Sequence, residues 1–363
     1  MTMTIERHSR ARKIALGQKL LSRRKVYLDT RYWIILRETA AGRRTDAASL
    51  KLLHFLRRGV NAGRLVCPIS VDLFMELSKQ ANTPTRRQAT ARLVDELSLG
   101  VSSMDPQSLL ATETHRFLSA ALHGQEAVHP MQELIWTKVA YALGDMHPTF
   151  DELPPEDQLE LQKQAFDYFW EMRLSALVAG MDDGAELRRD YAELTKDTNA
   201  RNQEHRDELR SYENAYDVEL RGAVEVVGET AADIIAEMEA RMTGVRTIQS
   251  PEQHAASVNM CRNLIYHAVK QPENRTSMRT LHVKTSIHAA MRWDKERQFK
   301  LNDWHDFGHA TIALTYCDAF LTEGPLHHLI TSRGSELEAI NGCRVASSID
   351  DALTIVRGLL ADG

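Results

Sequence analysis

The segment Lys25-Val26-Tyr27-Leu28-Asp29-Thr30 decides the reading of the fold. Apolar and β-favouring residues run up to an acid and then stop, the pattern of a short buried strand ending in a carboxylate. Working outward, helical signals follow from Tyr32 to about Glu38, and Leu50, Leu53, Phe55, Leu56 and Val60 recur with a period near 3.6. Leu65-Val66-Cys67-Pro68-Ile69-Ser70 reads as a second, continuously apolar strand. Ser70 or Asp72 can cap the helix after it, which carries Leu73, Phe74, Glu76 and Leu77. The same alternation returns near residue 300. Asp306 to Tyr316 reads as a helix, Ala319 to Thr322 as a strand, and Leu326 to Ile330 as the start of a helix. Arg344 to Ser347 is a last short strand, with Ala352 to Leu360 a final helix.

Between these blocks, from about 105 to 300, strand signals almost vanish and helical patterns broken by prolines take over. The expected organisation is therefore an α/β domain assembled from residues 1–104 and 301–363, interrupted by a mainly helical insertion over 105–300. Leu187, Tyr191 and Leu194, then Leu209, Tyr212, Tyr216 and Leu220, form one narrow apolar stripe on long helices. Such helices either lie on the body or project as an arm that serves a second copy or a protein partner.

The 363 residues carry a formal net charge of −5, with 43% hydrophobic and 26% charged residues. This is an ordinary globular balance and excludes global disorder. The whole molecule does not attract nucleic acid, so any phosphate contact must come from local basic patches. One is the run from Arg7 to Lys25, opposed only by Glu6, which reads as a short helical basic arm leading into the first strand. Cys67, Cys261, Cys317 and Cys343 lie far apart and form no CxxC pair, which argues against zinc and fits a reducing, cytoplasmic setting. No apolar run approaches the roughly 20 residues needed to cross a bilayer, so no membrane partner is expected.

The acids carry the chemistry. Ligands of open parallel sheets bind beyond the carboxyl ends of the strands. Asp29 ends the first strand, Glu76 lies on the helix after the second, Asp303 and Asp306 open the helix of the returning block, and Glu323 follows the strand after it. Parallel strands would bring all five to one edge. Clustered carboxylates repel unless a cation neutralises them. Oxygen-only ligands suit Mg²⁺ or Mn²⁺, and two such ions about 4 Å apart support phosphodiester hydrolysis. Each acid also has a plainer role. Asp29 can cap the next helix, Glu76 can be a solvated helix residue, and Asn302 or Asp303 can cap the helix that carries Asp306. Asp318 precedes its strand and belongs at the opposite edge. Thr30, Thr322 and His309 are candidate supports that hold a ligand by hydrogen bonds. His305, His309, His327 and His328 lack a spacing that supports a transition-metal site. Arg23, Arg24 and Arg31 are candidate contacts to an RNA backbone, such contacts carrying no sequence information; the alternative is that they are solvated.

Taken in order, these motifs resemble those of PIN domains. Val26-Tyr27-Leu28-Asp29-Thr30 looks like their opening strand and first acid, and Pro68-Ile69-Ser70 with Glu76 resembles the second block. Asp306-Phe-Gly-His-Ala310, followed by Tyr316-Cys-Asp-Ala-Phe-Leu-Thr322-Glu323, resembles the third and fourth. The resemblance covers about 150 residues in two parts. It implies a Rossmann-like, three-layer α/β/α fold of about five parallel strands. It also implies metal-dependent cleavage of RNA to a 3′-hydroxyl and a 5′-phosphate, with Asp29, Glu76 and Asp306 as metal ligands. A toxin or defence setting follows by family analogy only. Two departures stand out: Gly324 occupies the usual fourth acidic position, where Glu323 would substitute one residue early, and small PIN proteins lack the helical insertion. The rival expectations are a PIN-like module that binds RNA or protein without cutting, and a structure-specific DNA nuclease.

Overall fold

A computed structural model of the chain describes residues 3–79, 84–124, 128–150, 152–180, 191–245, 247–331, 337 and 342–361. The core is a four-stranded parallel sheet in the order β2-β1-β5-β6. Its strands are β1 (Arg24–Leu28), β2 (Leu65–Val66), β5 (Ala319–Leu321) and β6 (Arg344–Ala346). Register pairs Val26 with Ala319 and Leu28 with Leu321 across the centre. Two further short strands, β3 (Val101–Ser103) and β4 (Trp136–Lys138), form an antiparallel pair. A parallel bridge between Ile69 and Ser102 joins β3 to the segment that continues from β2. The bonds Cys67 N–H to Leu97 C=O and Ser103 N–H to Ile69 C=O run along the same line.

Strand alternation sorts the core into two sides. Val26, Leu28, Ala319, Leu321 and Ala346 pack on one side against α2 (Thr30–Ala40), α3 (Ala47–Asn61) and α16 (Ile349–Ala361). Tyr27, Val66, Phe320 and Val345 pack on the other against α13 (Arg279–Trp293), α14 (Asp303–Tyr316) and α15 (Gly324–Thr331). Helices thus cover both faces, as a parallel sheet requires. Helix α4 (Val71–Lys79) follows β2 and packs on α14.

Among the described residues between 105 and 300, β4 is the one strand, joined to helices and loops, and sequence patterning did not reveal it. The long helix α11 (Tyr212–Thr243) packs against α12 (Pro251–Lys270), α13 and α6 (Pro106–His123) around a separate apolar cluster that includes Leu220, Val227 and Ile265. The Tyr212–Leu220 part of the apolar stripe therefore lies against the body; Leu187 falls outside the described residues. Leu109, Trp136, Val283 and Phe299 from this stretch join the sheet's own core. The N-terminal helix α1 (Ile5–Leu20) lies on β4, on α7 (Met131–Leu134) and on α8 (Pro155–Trp170). Two of its cations are engaged: Lys13 pairs with Asp145 at 2.7 Å, and Arg12 with Asp167 at 3.2 Å. All four cysteines are buried and free. Among the described residues no helix is long and apolar enough to cross a membrane.

Candidate functional site

Strand order dictates where a site can form. From β1 the chain steps to β2 on one side, whereas β5 and β6 lie on the other. The order therefore reverses between β1 and β5, and the crevice beyond their carboxyl ends is where α/β sheets bind ligands. Asp29 follows β1 and Thr322-Glu323 follows β5. The two ends are tied together by the bond from Asp29 N–H to Leu321 C=O at 3.0 Å. Helices α4 and α14 bring Glu76, Asp306 and His309 over the same crevice.

Asp29 is buried, caps α2 and accepts from Tyr32 N–H at 3.1 Å. Burial drives its pKa up from 3.8 to about 6. Tyr32 N–H, the Thr322 dipole and the charge of His309 pull it back, while Glu323 pushes it further. The Thr322 hydroxyl is fully buried and has no hydrogen-bond partner in good geometry, although its dipole acts on Asp29. Asp306 is pushed up from 3.8 to about 7, first by burial. His309 counters this, and Glu323, Glu76 and Asp29 add to it. Asp306 therefore feels the charge of three other carboxylates, and Asp29 that of Glu323.

Glu76 differs. Burial would raise it, but hydrogen bonds from His309 and Thr30, with the positive charge of His309, hold it at about 2. His309 Nε2 bonds Glu76 Oε2 at 2.8 Å, and the Thr30 hydroxyl donates to the same oxygen. Glu76 Oε1 thus lacks a protein donor among the described residues. On its other side, His309 Nδ1 lies 2.7 Å from the Tyr27 hydroxyl, which is 2.7 Å from Ser70 Oγ. Burial opposes charge on His309, yet Glu76, Asp72 and Asp29 outweigh it and raise its pKa to about 9. With both ring nitrogens protonated, Nδ1–H donates to Tyr27 and the Tyr27 hydroxyl donates onward to Ser70. One turn earlier the contact repeats, with His305 Nδ1 3.3 Å from Asp72 Oδ1. Gly308 makes this approach possible, since a Cβ there would collide with the Asp72 carboxylate.

The structure does not gather every residue singled out in the sequence. Asp303 Oδ2 accepts from Lys300 N–H at 2.9 Å, and its other oxygen lies 3.8 Å from Arg297. It serves the helix start. Arg23 and Arg24 stand at the amino end of β1, the opposite edge of the sheet. Arg23 donates to the carbonyls of Val60 and Leu65, and Arg24 pairs with Asp318 at 3.0 Å. Arg24 is five residue steps from Asp29 along an extended strand, at about 3.3 Å each, and Arg23 is one step further, so neither contributes to this crevice. Arg31 does lie at the carboxyl edge, exposed on the first turn of α2. Asp318 sits at the amino edge and accepts from Lys25 N–H. Glu323, partly exposed, adds its charge to the cluster one residue before Gly324.

Tyr27, Ser70, Asp72 and His305 were not singled out as site residues by sequence. The one available signal was spacing: acids at 72 and 76 and histidines at 305 and 309 each recur at i,i+4, the interval that places side chains on one helix face.

No family model, curated protein or solved structure matches the chain. Among the described residues, no three His, Cys, Asp or Glu side chains already stand at metal-holding spacing. The donor chemistry nonetheless fits a hard divalent ion. The available atoms are carboxylate oxygens, two of the acids are strained towards protonation by burial and one another, and the buried Thr322 hydroxyl is left unpartnered beside them.

Proposed function

We propose that the chain is a PIN-like, metal-dependent endoribonuclease whose site is the carboxylate crevice at the β1/β5 reversal. The observation that supports this best is the grouping of Asp29, Glu76, Asp306 and Glu323 at the one edge where a parallel sheet with this strand order takes ligands. Asp29, Glu76 and Asp306 would hold Mg²⁺ or Mn²⁺, with Glu323 in reach of the same charge field. Bound there, a divalent ion supplies charge stabilisation to a phosphodiester and lowers the pKa of water. The chain's own groups do the rest. Thr30 and His309 orient Glu76, the Thr322 hydroxyl dipole favours the charged form of Asp29, and Arg31 offers an exposed cation for a backbone phosphate.

The test is incubation of single-stranded and structured RNAs with the protein and Mn²⁺, followed by end analysis. Products with 5′-phosphate and 3′-hydroxyl ends that vanish in EDTA are expected. Cleavage indifferent to EDTA, or 2′,3′-cyclic phosphate ends, would overturn the reading.

One observation favours a second reading. The His309 imidazolium already supplies a positive charge to Glu76, so part of the cation's role is filled from within the chain. A PIN-like module that binds RNA or protein without cutting would need no more. Metal-independent RNA binding that survives Asp29→Asn would select it.

A further inference from the structure

Two contacts join α4 to α14 in the same register. Asp72 meets His305 and Glu76 meets His309, each acid and each histidine four residues from its neighbour. The Glu76 rung is extended inward, from His309 Nδ1 to the Tyr27 hydroxyl and then to Ser70. Tyr27 is fully buried and Ser70 and His309 are each 1% exposed, so this chain has no contact with water to replace a lost bond. Tyr27 sits two residues before Asp29 on β1, the strand that leads into that acid. The aromatic ring is not what the arrangement demands, since a Phe would fill the same space. What the hydroxyl adds is a fixed hydrogen-bond partner for Nδ1, which sets the plane of the imidazole and thereby the direction of Nε2 towards Glu76.

From this geometry we propose that Tyr27 is a positioning residue for the metal site, acting through His309 to hold Glu76 Oε2 and so present Oε1 to the ion. The inference rests on the metal-site reading above. It makes the strand core part of the site, with one β1 residue supplying a carboxylate and another aiming the carboxylate that α4 supplies. Loss of the hydroxyl leaves His309 Nδ1 without its partner in a dry interior, and nothing then fixes the plane of the imidazole. Glu76 keeps only Thr30.

Mn²⁺ binding to the full chain, followed by calorimetry at a temperature well below unfolding, tests this without any cleavage assay. Tyr27→Phe is expected to weaken Mn²⁺ binding by about 10- to 100-fold, the usual effect of removing a partner that orients a ligand. Tyr316→Phe is the control, because Tyr316 is also a buried tyrosine with a hydroxyl bond, to Glu113 at 3.2 Å. Its loss should leave Mn²⁺ affinity unchanged. If Tyr27→Phe does not fold, Ser70→Ala replaces it, with a weakening in the same direction. Wild-type affinity in Tyr27→Phe, beside a loss in Asp306→Asn, would overturn the positioning role and leave the metal site standing. Equal weakening in Tyr27→Phe and Tyr316→Phe would overturn it as a general softening. No Mn²⁺ binding by the wild type would overturn the metal site and this inference together.

Discussion

Removing the charge of Asp306 should stabilise the metal-free protein, and by an amount that depends on pH. Burial and three neighbouring carboxylates raise its pKa from 3.8 to about 7. Such a shift corresponds to about 4 kcal/mol. Partial exposure to water and local relaxation cut this to about 2 kcal/mol. The sign follows from linkage. A raised folded-state value means the native protein holds its proton more tightly than the unfolded chain, so stability is lost as pH rises from 3.8 through about 7. Asp306→Asn escapes that loss. At pH 8 the variant should gain about 2 kcal/mol, roughly 3 °C in Tm for a chain of this size. At pH 5, where native Asp306 is already mostly protonated, the gain should fall below about 1 kcal/mol. Thermal unfolding followed by circular dichroism, in EDTA, measures both. Adding Mn²⁺ should reverse the order, because an ion at about 100 times its Kd adds about 2.7 kcal/mol to the protein that binds it. A variant less stable than wild type at both pH values would refute the reasoning, since it would mean that Asp306 is held by a favourable partner.

Three further outcomes follow from the packing and charge. His309→Gln should cost about 3 kcal/mol at pH 7, as expected when one member of a buried ion pair is removed. The stability that the lowered Glu76 pKa confers above 4.5, and loses as pH falls through about 2, should disappear with it in an acid titration of unfolding. Glu113 accepts from Thr280 N–H, Leu281 N–H and the Tyr316 hydroxyl, yet burial raises its pKa to about 7. Its contribution therefore falls as pH rises from 4.5 through 7, and Glu113→Gln should flatten that part of the stability curve. Gly17→Ala should destabilise by about 1–3 kcal/mol by overpacking, because a Cβ there collides with the Glu133 backbone and forces α1 off α7; denaturant titration measures the loss.

Much of the sheet was legible because its strands are buried on both faces and read as unbroken apolar runs that end at acids. Val26-Tyr27-Leu28-Asp29 and Ala319-Phe320-Leu321 are of this kind, and their parallel pairing brings Asp29 and Glu323 to one edge. Strands β3 and β4 were hidden for the opposite reason. Each has three residues, and Ser102, Ser103 and Thr137 are buried polar side chains that break any apolar pattern. Arg23 and Arg24 are close to Asp29 in sequence, but an extended strand turns that closeness into separation, and both cations are tied down at the far edge. Sequence favoured Asp306 over Asp303 as the site acid but kept both as candidates, because at the first turn of a helix an acid can serve the backbone or a site. The Ser70–Tyr27–His309–Glu76 chain could not be read at all. Tyr27 and His309 stand 282 residues apart, and a tyrosine in a buried strand carries no mark of what its hydroxyl touches.

The most direct test of the account compares RNA cleavage by wild type, Asp29→Asn and Asp306→Asn in Mn²⁺, all three purified alike. The account predicts cleavage by wild type and its loss by 10²-fold or more in each variant, an order typical of removing a group that stabilises charge in the transition state, while both variants remain folded. Equal cleavage by all three would contradict it, since the carboxylates at the β1/β5 reversal would then have no part in the reaction.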